Sequence, residues 1–289
     1  MNKSKGKIFE PLMNIIFTVC GFAAFALVMV ITAFLLVSGL PAIKEIGIFK
    51  FLFGKVWNPT GQTPLYGILP FTASSVFGTI GAVIIGLPIG LLCAVYISKF
   101  APRPVAAATR AAVELLAGIP SVVYGLIGMI IIVPTVRIAF SLPDGANLFS
   151  AIIVLSIMIL PSVISVSENA LNAVPKEYEE GSLALGATKC ETVYKVTVPA
   201  AKSGILASVV LGTGRAIGEA MAVMMVSGNA SNMPKLFKSV RFLTTAVASE
   251  MSYSSGLQRK ALFSVALVLF IFILLINLFL GIVIKKKER

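Results

Sequence analysis

The chain contains no histidine and only three cysteines among its 289 residues, Cys20, Cys93 and Cys190. Without histidine, neither a Ser-His-Asp triad nor a Cys-His pair can form. The scattered carboxylates and isolated cysteines supply no ligand set for zinc or iron, and they predict no disulfide framework. A phosphate loop of the form G-x-x-x-x-G-K-[ST] is also absent. We therefore expect a non-catalytic chain that holds no cofactor and does not hydrolyse ATP by itself.

Charged residues are scarce as well. They make up 12% of the chain, whereas soluble domains have about 25%. Hydrophobic residues make up 57%, and the mean hydropathy is +0.97. This composition excludes a soluble globular protein and predicts contact with membrane lipid. The net charge of +12 would suggest nucleic acid as the partner of a soluble protein, but in this composition we expect no nucleic-acid partner.

Long apolar runs predict helices that cross a membrane, because about 20 residues span the bilayer core. We predict an all-α membrane protein in which residues 1–289 form one domain. The six predicted spans are Asn14–Ser38, Gly67–Ile97, Ala111–Val136, Leu148–Ser167, Ser203–Gly228 and Ala261–Ile284. The fifth contains Arg215 and Glu219, so a search for charge-free runs would miss it. A re-entrant or soluble segment is the alternative there, but it would leave long apolar runs exposed to water.

The distribution of basic residues favours one orientation. If both termini are cytoplasmic, the inner segments contain 14 lysines and arginines and the outer loops contain nine. Basic residues are enriched in cytoplasmic segments. We therefore predict a multi-pass protein with both termini in the cytoplasm. Seven of the inner residues lie at the two ends of the chain: Lys3, Lys5, Lys7, Lys285, Lys286, Lys287 and Arg289.

A polar segment, residues 175–199, interrupts the apolar chain. Pro175 followed by Glu177 and Glu179 is typical of a helix start, because negative charge suits the N-terminal end of the helix dipole. Gly186 permits a break, and Thr188 with Glu191 has the spacing of a capping box. The pattern predicts two short helices joined by a turn on the cytoplasmic face. An ordinary amphipathic surface loop is the alternative interpretation.

The spacing within this segment is similar to that of a known motif. Glu180, Gly186 and Pro199 match the E-A-A, three residues, G, nine residues, I-x-L-P pattern of permease subunits of bacterial ABC importers, with Gly181 and Ser182 in place of the alanines. The resemblance implies a type I importer permease fold whose coupling helices lie between helices 4 and 5 and contact a partner ATPase. The coupling residues that it implies are Glu179, Glu180, Gly181, Ser182, Leu183, Gly186, Ala187 and Pro199.

A charged pair lies within the fifth predicted helix. Arg215 is thirteen residues beyond Lys202, or about 20 Å along a helix, which places it near the middle of the bilayer. Glu219 follows at the i,i+4 spacing that puts two side chains on one helix face. Ionisable groups at such depth usually line a pathway or pair with each other. We predict that Arg215 attracts an oxyanion and that Glu219 neutralises it between cycles; a purely structural ion pair is the alternative.

Three further stretches resemble permeases of phosphate importers of the PstC type. They are WNP with GILP at residues 57–59 and 67–70, ELLAGIPSVVYGLIG at 114–128, and LGTGRAIGEAMAVMMVSGN around Arg215. The resemblance implies transport of inorganic phosphate across the bacterial cytoplasmic membrane. It also implies a PstA-like permease as heterodimer partner, a PstB-like ATPase dimer that binds ATP and magnesium, and an extracytoplasmic phosphate-binding protein.

Two other transport functions compete with this interpretation. Sulfate and molybdate importers share a similar coupling motif, so another oxyanion could be the substrate. A secondary anion transporter could also use Arg215 and Glu219, but the chain has no recognisable inverted repeat.

Overall fold

The computed structural model describes residues 4–288 and is mostly helical. Its first elements are α1 (Ser4–Ile46), α2 (Ile48–Phe53), β1 (Trp57–Asn58), β2 (Leu65–Tyr66), α3 (Leu69–Val95), α4 (Arg103–Gly118), α5 (Ser121–Ile127) and α6 (Val133–Ala139). The remaining elements are α7 (Leu148–Asn172), α8 (Lys176–Ala184), α9 (Lys189–Thr192), α10 (Val198–Ala200), α11 (Lys202–Gly218), α12 (Met221–Val226), α13 (Leu243–Glu250) and α14 (Gly256–Glu288). Single π-helical turns follow α3, α5 and α9, at Tyr96–Phe100, Gly128–Ile132 and Val193–Thr197.

The described residues contain five helices that are long and apolar enough to cross a membrane. These are Met13–Ile46, Leu69–Phe100, Ser121–Ala139, Leu148–Asn172 and Gly256–Phe279. A sixth span is obtained if Lys189–Ala200 and Lys202–Gly218, which meet at an angle of 68°, are counted as one. The predicted all-α membrane fold is therefore confirmed. The terminal basic residues on which the orientation partly depends, Lys3, Lys5, Lys7, Lys285, Lys286, Lys287 and Arg289, fall outside the described side chains.

Packing of α3 against α7 forms the centre of the fold. Gly81, Gly86 and Gly90 of α3 lie on the side chains of Ile152, Ile159 and Val163, and a β-carbon at any of the three would come within 2.7 Å of its neighbour. Small residues at such contacts let two membrane helices approach closely. In contrast, α1 lies at the edge, where it packs on α14 and exposes most of its side chains.

Two predicted spans are interrupted in the structure. The third was predicted as Ala111–Val136, but α4 ends at Gly118 and a new helix starts at Ser121. Ile119 and Pro120 are extended between them. Proline disfavours helical geometry at the residue before it, which explains the conformation of Ile119. The prediction of a continuous third helix is therefore wrong at this point.

The fifth predicted span is also discontinuous. The helix predicted over Ser203–Gly228 ends at Gly218, and Glu219 is extended, with a ψ of 129°. A second, shorter helix begins at Met221. The hydroxyl of Thr244 donates a 2.7 Å hydrogen bond to the Glu219 carbonyl, which satisfies a backbone group that the break leaves without a helical partner. The continuous helix predicted here is wrong, because α13 and Glu219 itself stabilise the break.

Candidate translocation and coupling sites

The segment 175–199 folds as two short helices joined by a turn, as predicted. Gly186 has a φ of +87° between α8 and α9, a conformation that favours glycine. Thr188 accepts a hydrogen bond from the backbone N–H of Glu191, and the Glu191 carboxylate accepts one from the Thr188 N–H. The predicted capping box is confirmed. We call residues 175–199 the coupling segment below.

The coupling segment has two sides. One side is exposed and partly apolar, and the other, called the anchored face, forms hydrogen bonds and an ion pair. Leu185 is 91% exposed, and Tyr178 and Leu183 are about half exposed. Glu180 and Gly181 are exposed beside them. Such a patch of exposed apolar residues outside the spans is typical of a contact surface for another protein.

The anchored face contains Glu179 and Ser182, two of the predicted coupling residues. Glu179 pairs with Lys99 at 2.5 Å and accepts a 3.3 Å hydrogen bond from the hydroxyl of Thr197. Ser182 is hydrogen-bonded to Thr192. The ion pair with Lys99 ties the coupling segment to the π-helical turn at the end of α3, and the other two contacts join α8 to the second half of the segment. Sequence reasoning did not identify Lys99, because its partner is 80 residues away.

The remaining predicted coupling residues lie at the two ends of the segment. Ala187 is half-buried in the turn between α8 and α9, and Pro199 lies in α10. Pro199 immediately precedes the 68° bend that leads into α11. The segment is therefore joined directly to the helix that carries Arg215.

Arg215 lies in the last turn of α11, beside the helix break. Its side chain is half-buried, and one terminal nitrogen, Nη1, donates a 3.5 Å hydrogen bond to the Ser162 hydroxyl of α7. No ion pair involves Arg215 among the side chains that the structure describes. Most of its hydrogen-bonding capacity is therefore unused. A guanidinium in this state can bind an oxyanion through two parallel hydrogen bonds.

Glu219 is placed differently from the prediction. It lies beyond the end of α11, so the predicted arrangement of Arg215 and Glu219 on one helix face is wrong. Instead, its Oε1 accepts a 3.0 Å hydrogen bond from the N–H of Ala222 in the first turn of α12. Glu219 therefore stabilises the start of the helix that follows the break.

An ion pair that sequence reasoning missed joins α4 to α7. Arg110 Nε lies 2.6 Å from Glu168 Oε1, and the Glu168 side chain is 9% exposed. A polar cavity of about 220 Å³ lies beside the pair and is also lined by Glu114 and Asn169. The signal was available in the sequence: Glu168 directly follows an apolar run, and a carboxylate so close to a membrane span normally has a partner.

At the opposite end of the bundle, a polar network joins the β-hairpin to α13. Glu250 accepts hydrogen bonds from Trp57 Nε1 at 3.0 Å and from Gln258 at 3.1 Å, and it also pairs with Arg241. Arg241 in turn donates to the backbone and side-chain oxygens of Asn229 at 3.0 Å. These contacts hold the β-hairpin against α13.

Comparisons with known proteins agree with this architecture. Residues 86–289 match the family described as "Binding-protein-dependent transport system inner membrane component". The chain is 41% identical over 273 residues to "Probable ABC transporter permease protein YqgH" of Bacillus subtilis strain 168, covering 91% of this chain and 88% of the relative. It is 34% identical over 263 residues to "Phosphate transport system permease protein PstC" of Pasteurella multocida strain Pm70, covering 83% and 82%.

Solved structures show the same fold. A bacterial alginate ABC transporter chain has a TM-score of 0.62 at 14% identity, with 96% of each chain covered. A chain of the MetNI methionine ABC transporter in an inward-facing conformation has a TM-score of 0.57 at 22% identity, with 77% of this chain and 95% of that chain covered. These likenesses support a type I importer permease fold. Together with the family match, they show that this multi-pass membrane protein belongs to the inner membrane components of binding-protein-dependent ABC transport systems, as a permease subunit of the PstC type.

Proposed function

We propose that this chain forms half of the translocation pathway of an ATP-driven importer of inorganic phosphate. The observation that carries the proposal is that the Arg215 guanidinium has no charged partner among the described side chains. The guanidinium is half-buried at a helix break within the bundle and forms one long hydrogen bond, to Ser162. The phosphate permeases among the relatives support the choice of anion.

In this proposal, Arg215 contacts the passing anion and Glu219 limits how tightly the anion is held. Glu219 is fixed by the N–H of Ala222 at the break, so its carboxylate is kept on the pathway next to the end of α11. A negative charge near an anion site weakens binding, which favours release over trapping.

The coupling segment transmits the ATPase cycle. Leu185, Leu183 and Tyr178 contact a PstB-like ATPase dimer, which binds ATP and magnesium, while Glu180 and Gly186 shape the docking surface. A PstA-like permease completes the pathway, and an extracytoplasmic phosphate-binding protein delivers the anion. Both termini lie in the cytoplasm, on the same side as the coupling segment. The family to which the chain belongs supports partners of these kinds.

The test is uptake of labelled phosphate into vesicles that contain the chain with its candidate partners. Uptake should require the ATPase and should resist competition by sulfate and molybdate. Arg215→Gln should abolish most uptake, whereas Arg259→Gln, which removes an exposed arginine elsewhere, should leave it unchanged. Uptake without the ATPase would identify a secondary transporter, and uptake of sulfate or molybdate instead of phosphate would identify a different oxyanion importer.

A further inference from the structure

A cavity of about 610 Å³ lies at the end of the bundle opposite to the coupling segment. It is enclosed by the last turn of α1, by α2, by the β-hairpin and by the start of α14. Its apolar wall includes Ile46, where the first span ends, and Leu257, which lies one residue after the last span begins. The cavity therefore lies beside the ends of two helices that are long and apolar enough to span a membrane.

The rim of this cavity is basic. Lys50 and Lys55 line it, both are exposed, and neither forms an ion pair with a described side chain. Glu45 is the only acidic residue in the lining. The three groups together carry a net positive charge, so the cavity attracts an anion.

Tyr66 supplies a hydrogen-bond donor in the wall. Most of the residue is buried, with 8% of its surface exposed, but its hydroxyl keeps access to solvent in the cavity. Burial, together with the nearby Glu45 carboxylate, raises the pKa of Tyr66, so the group remains a neutral phenol that can donate. A ligand that offers an oxygen acceptor in the cavity can accept a hydrogen bond from this hydroxyl.

The surface next to the cavity is apolar and aromatic. In α2, Phe51 is fully buried and fixes the helix on the bundle, whereas Ile48, Phe49 and Phe53 are each more than half exposed. Phe49 and Phe53 stack with their ring centroids 6.4 Å apart. An exposed apolar surface of this kind, beside the ends of the spans, is suited to contact with the acyl chains of lipids.

We propose that this cavity binds the headgroup of an anionic phospholipid. Lys50 and Lys55 bind the phosphate oxygens, Tyr66 donates a hydrogen bond to the same group, and the acyl chains lie along Phe49 and Phe53. A zwitterionic choline headgroup carries a cation that the two lysines repel, so the site prefers phosphatidylglycerol to phosphatidylcholine. The site is separate from Arg215 and does not depend on which substrate is transported.

The experiment measures lipid retention by the full chain in the complex with which it is purified. The complex is reconstituted in nanodiscs that contain equal amounts of phosphatidylglycerol and phosphatidylcholine, transferred to mild detergent and analysed by native mass spectrometry. Wild-type protein should retain phosphatidylglycerol. The double variant Lys50→Gln with Lys55→Gln should bind it roughly 30-fold more weakly, as expected when two basic groups next to an anionic lipid are removed.

The matched control is Lys235→Gln with Lys260→Gln, which removes two exposed lysines that do not line the cavity. It should retain phosphatidylglycerol like the wild type, and Tyr66→Phe should retain less. Equal retention of both lipids by the wild type would overturn the proposal, and this result needs no variant to fold. Displacement of the lipid by excess inorganic phosphate would also overturn it, because the cavity would then be a site for the free anion.

Discussion

At the scale of single residues, the structure changes the role of one charged side chain and strengthens that of another. Glu219 caps α12 through the N–H of Ala222 and does not pair with Arg215. Arg215 is consequently left with one hydrogen bond, to Ser162. An unpaired cation within a membrane bundle is costly, and such residues usually serve a pathway. The structural ion pair with Glu219 that the sequence allowed is therefore absent, which supports the proposed role of Arg215 in transport.

Arg215→Lys tests whether anion transport needs the two parallel hydrogen bonds that a guanidinium can donate. Lysine keeps the positive charge but cannot make two parallel hydrogen bonds to an oxyanion. We expect kcat/KM for phosphate uptake to fall by roughly 10-fold or more, because a hydrogen bond between charged groups contributes about 1.5–3 kcal/mol. The measurement is initial uptake in reconstituted vesicles, with the amount of assembled complex quantified in parallel. Wild-type uptake by the lysine variant would show that charge alone is sufficient.

At the scale of helices, α3 and α7 pack closely because α3 has glycines, which have no side chain, at the points of contact. A β-carbon at Gly86 would lie 2.7 Å from Ile159 Cδ1 and 2.9 Å from the backbone oxygen of Ser156. The isoleucine could move, but the backbone oxygen belongs to a helix that packs on several neighbours. The two helices would therefore have to separate.

We predict that Gly86→Ala destabilises the protein by about 1–3 kcal/mol, the usual cost of overfilling a packed contact. The matched control is Gly21→Ala in α1, where a β-carbon would meet nothing within 4 Å and alanine favours the helix. Thermal unfolding in detergent, followed by the fraction that remains soluble and monodisperse, measures the difference. Equal midpoints for the two variants would show that α3 and α7 can separate without cost.

At the scale of the whole molecule, one ion pair connects the coupling segment to the transmembrane bundle. Glu179 binds Lys99 at the end of α3, and α3 packs along α7, which holds Ser162 against Arg215. The Lys99 side chain is 13% exposed, so the pair is largely shielded from water. In the proposed mechanism, this ion pair is the route by which movement of the coupling segment reaches helices near the proposed anion site.

Glu179→Gln should weaken this connection. We expect the variant to assemble but to lose phosphate uptake relative to ATP hydrolysis, because Lys99 would remain shielded without its counter-charge. Lys195→Gln is the matched control, since it breaks the exposed pair with Glu191, and exposed pairs contribute little. The ratio of phosphate transported to ATP hydrolysed measures coupling, and an unchanged ratio in Glu179→Gln would contradict the proposed route.

Much of this architecture could be predicted because it is encoded locally. Long apolar runs specify membrane helices through the free energy of transfer of their own side chains. The capping box of Thr188 and Glu191 and the turn at Gly186 likewise depend on residues three to five positions apart. The break in the third span is also encoded locally, because Pro120 disfavours helical geometry at Ile119, directly before α5.

The sequence by itself determined the fold class, the order of the helices, the two short helices within residues 175–199 and an arginine within an apolar helix. The tertiary structure alone decided where α11 ends and which charges pair. The break at Glu219 depends on Thr244, 25 residues away, and Glu179 finds Lys99 across 80 residues. Such contacts form only after helices have packed, because their free energy depends on distances between elements that no local pattern specifies.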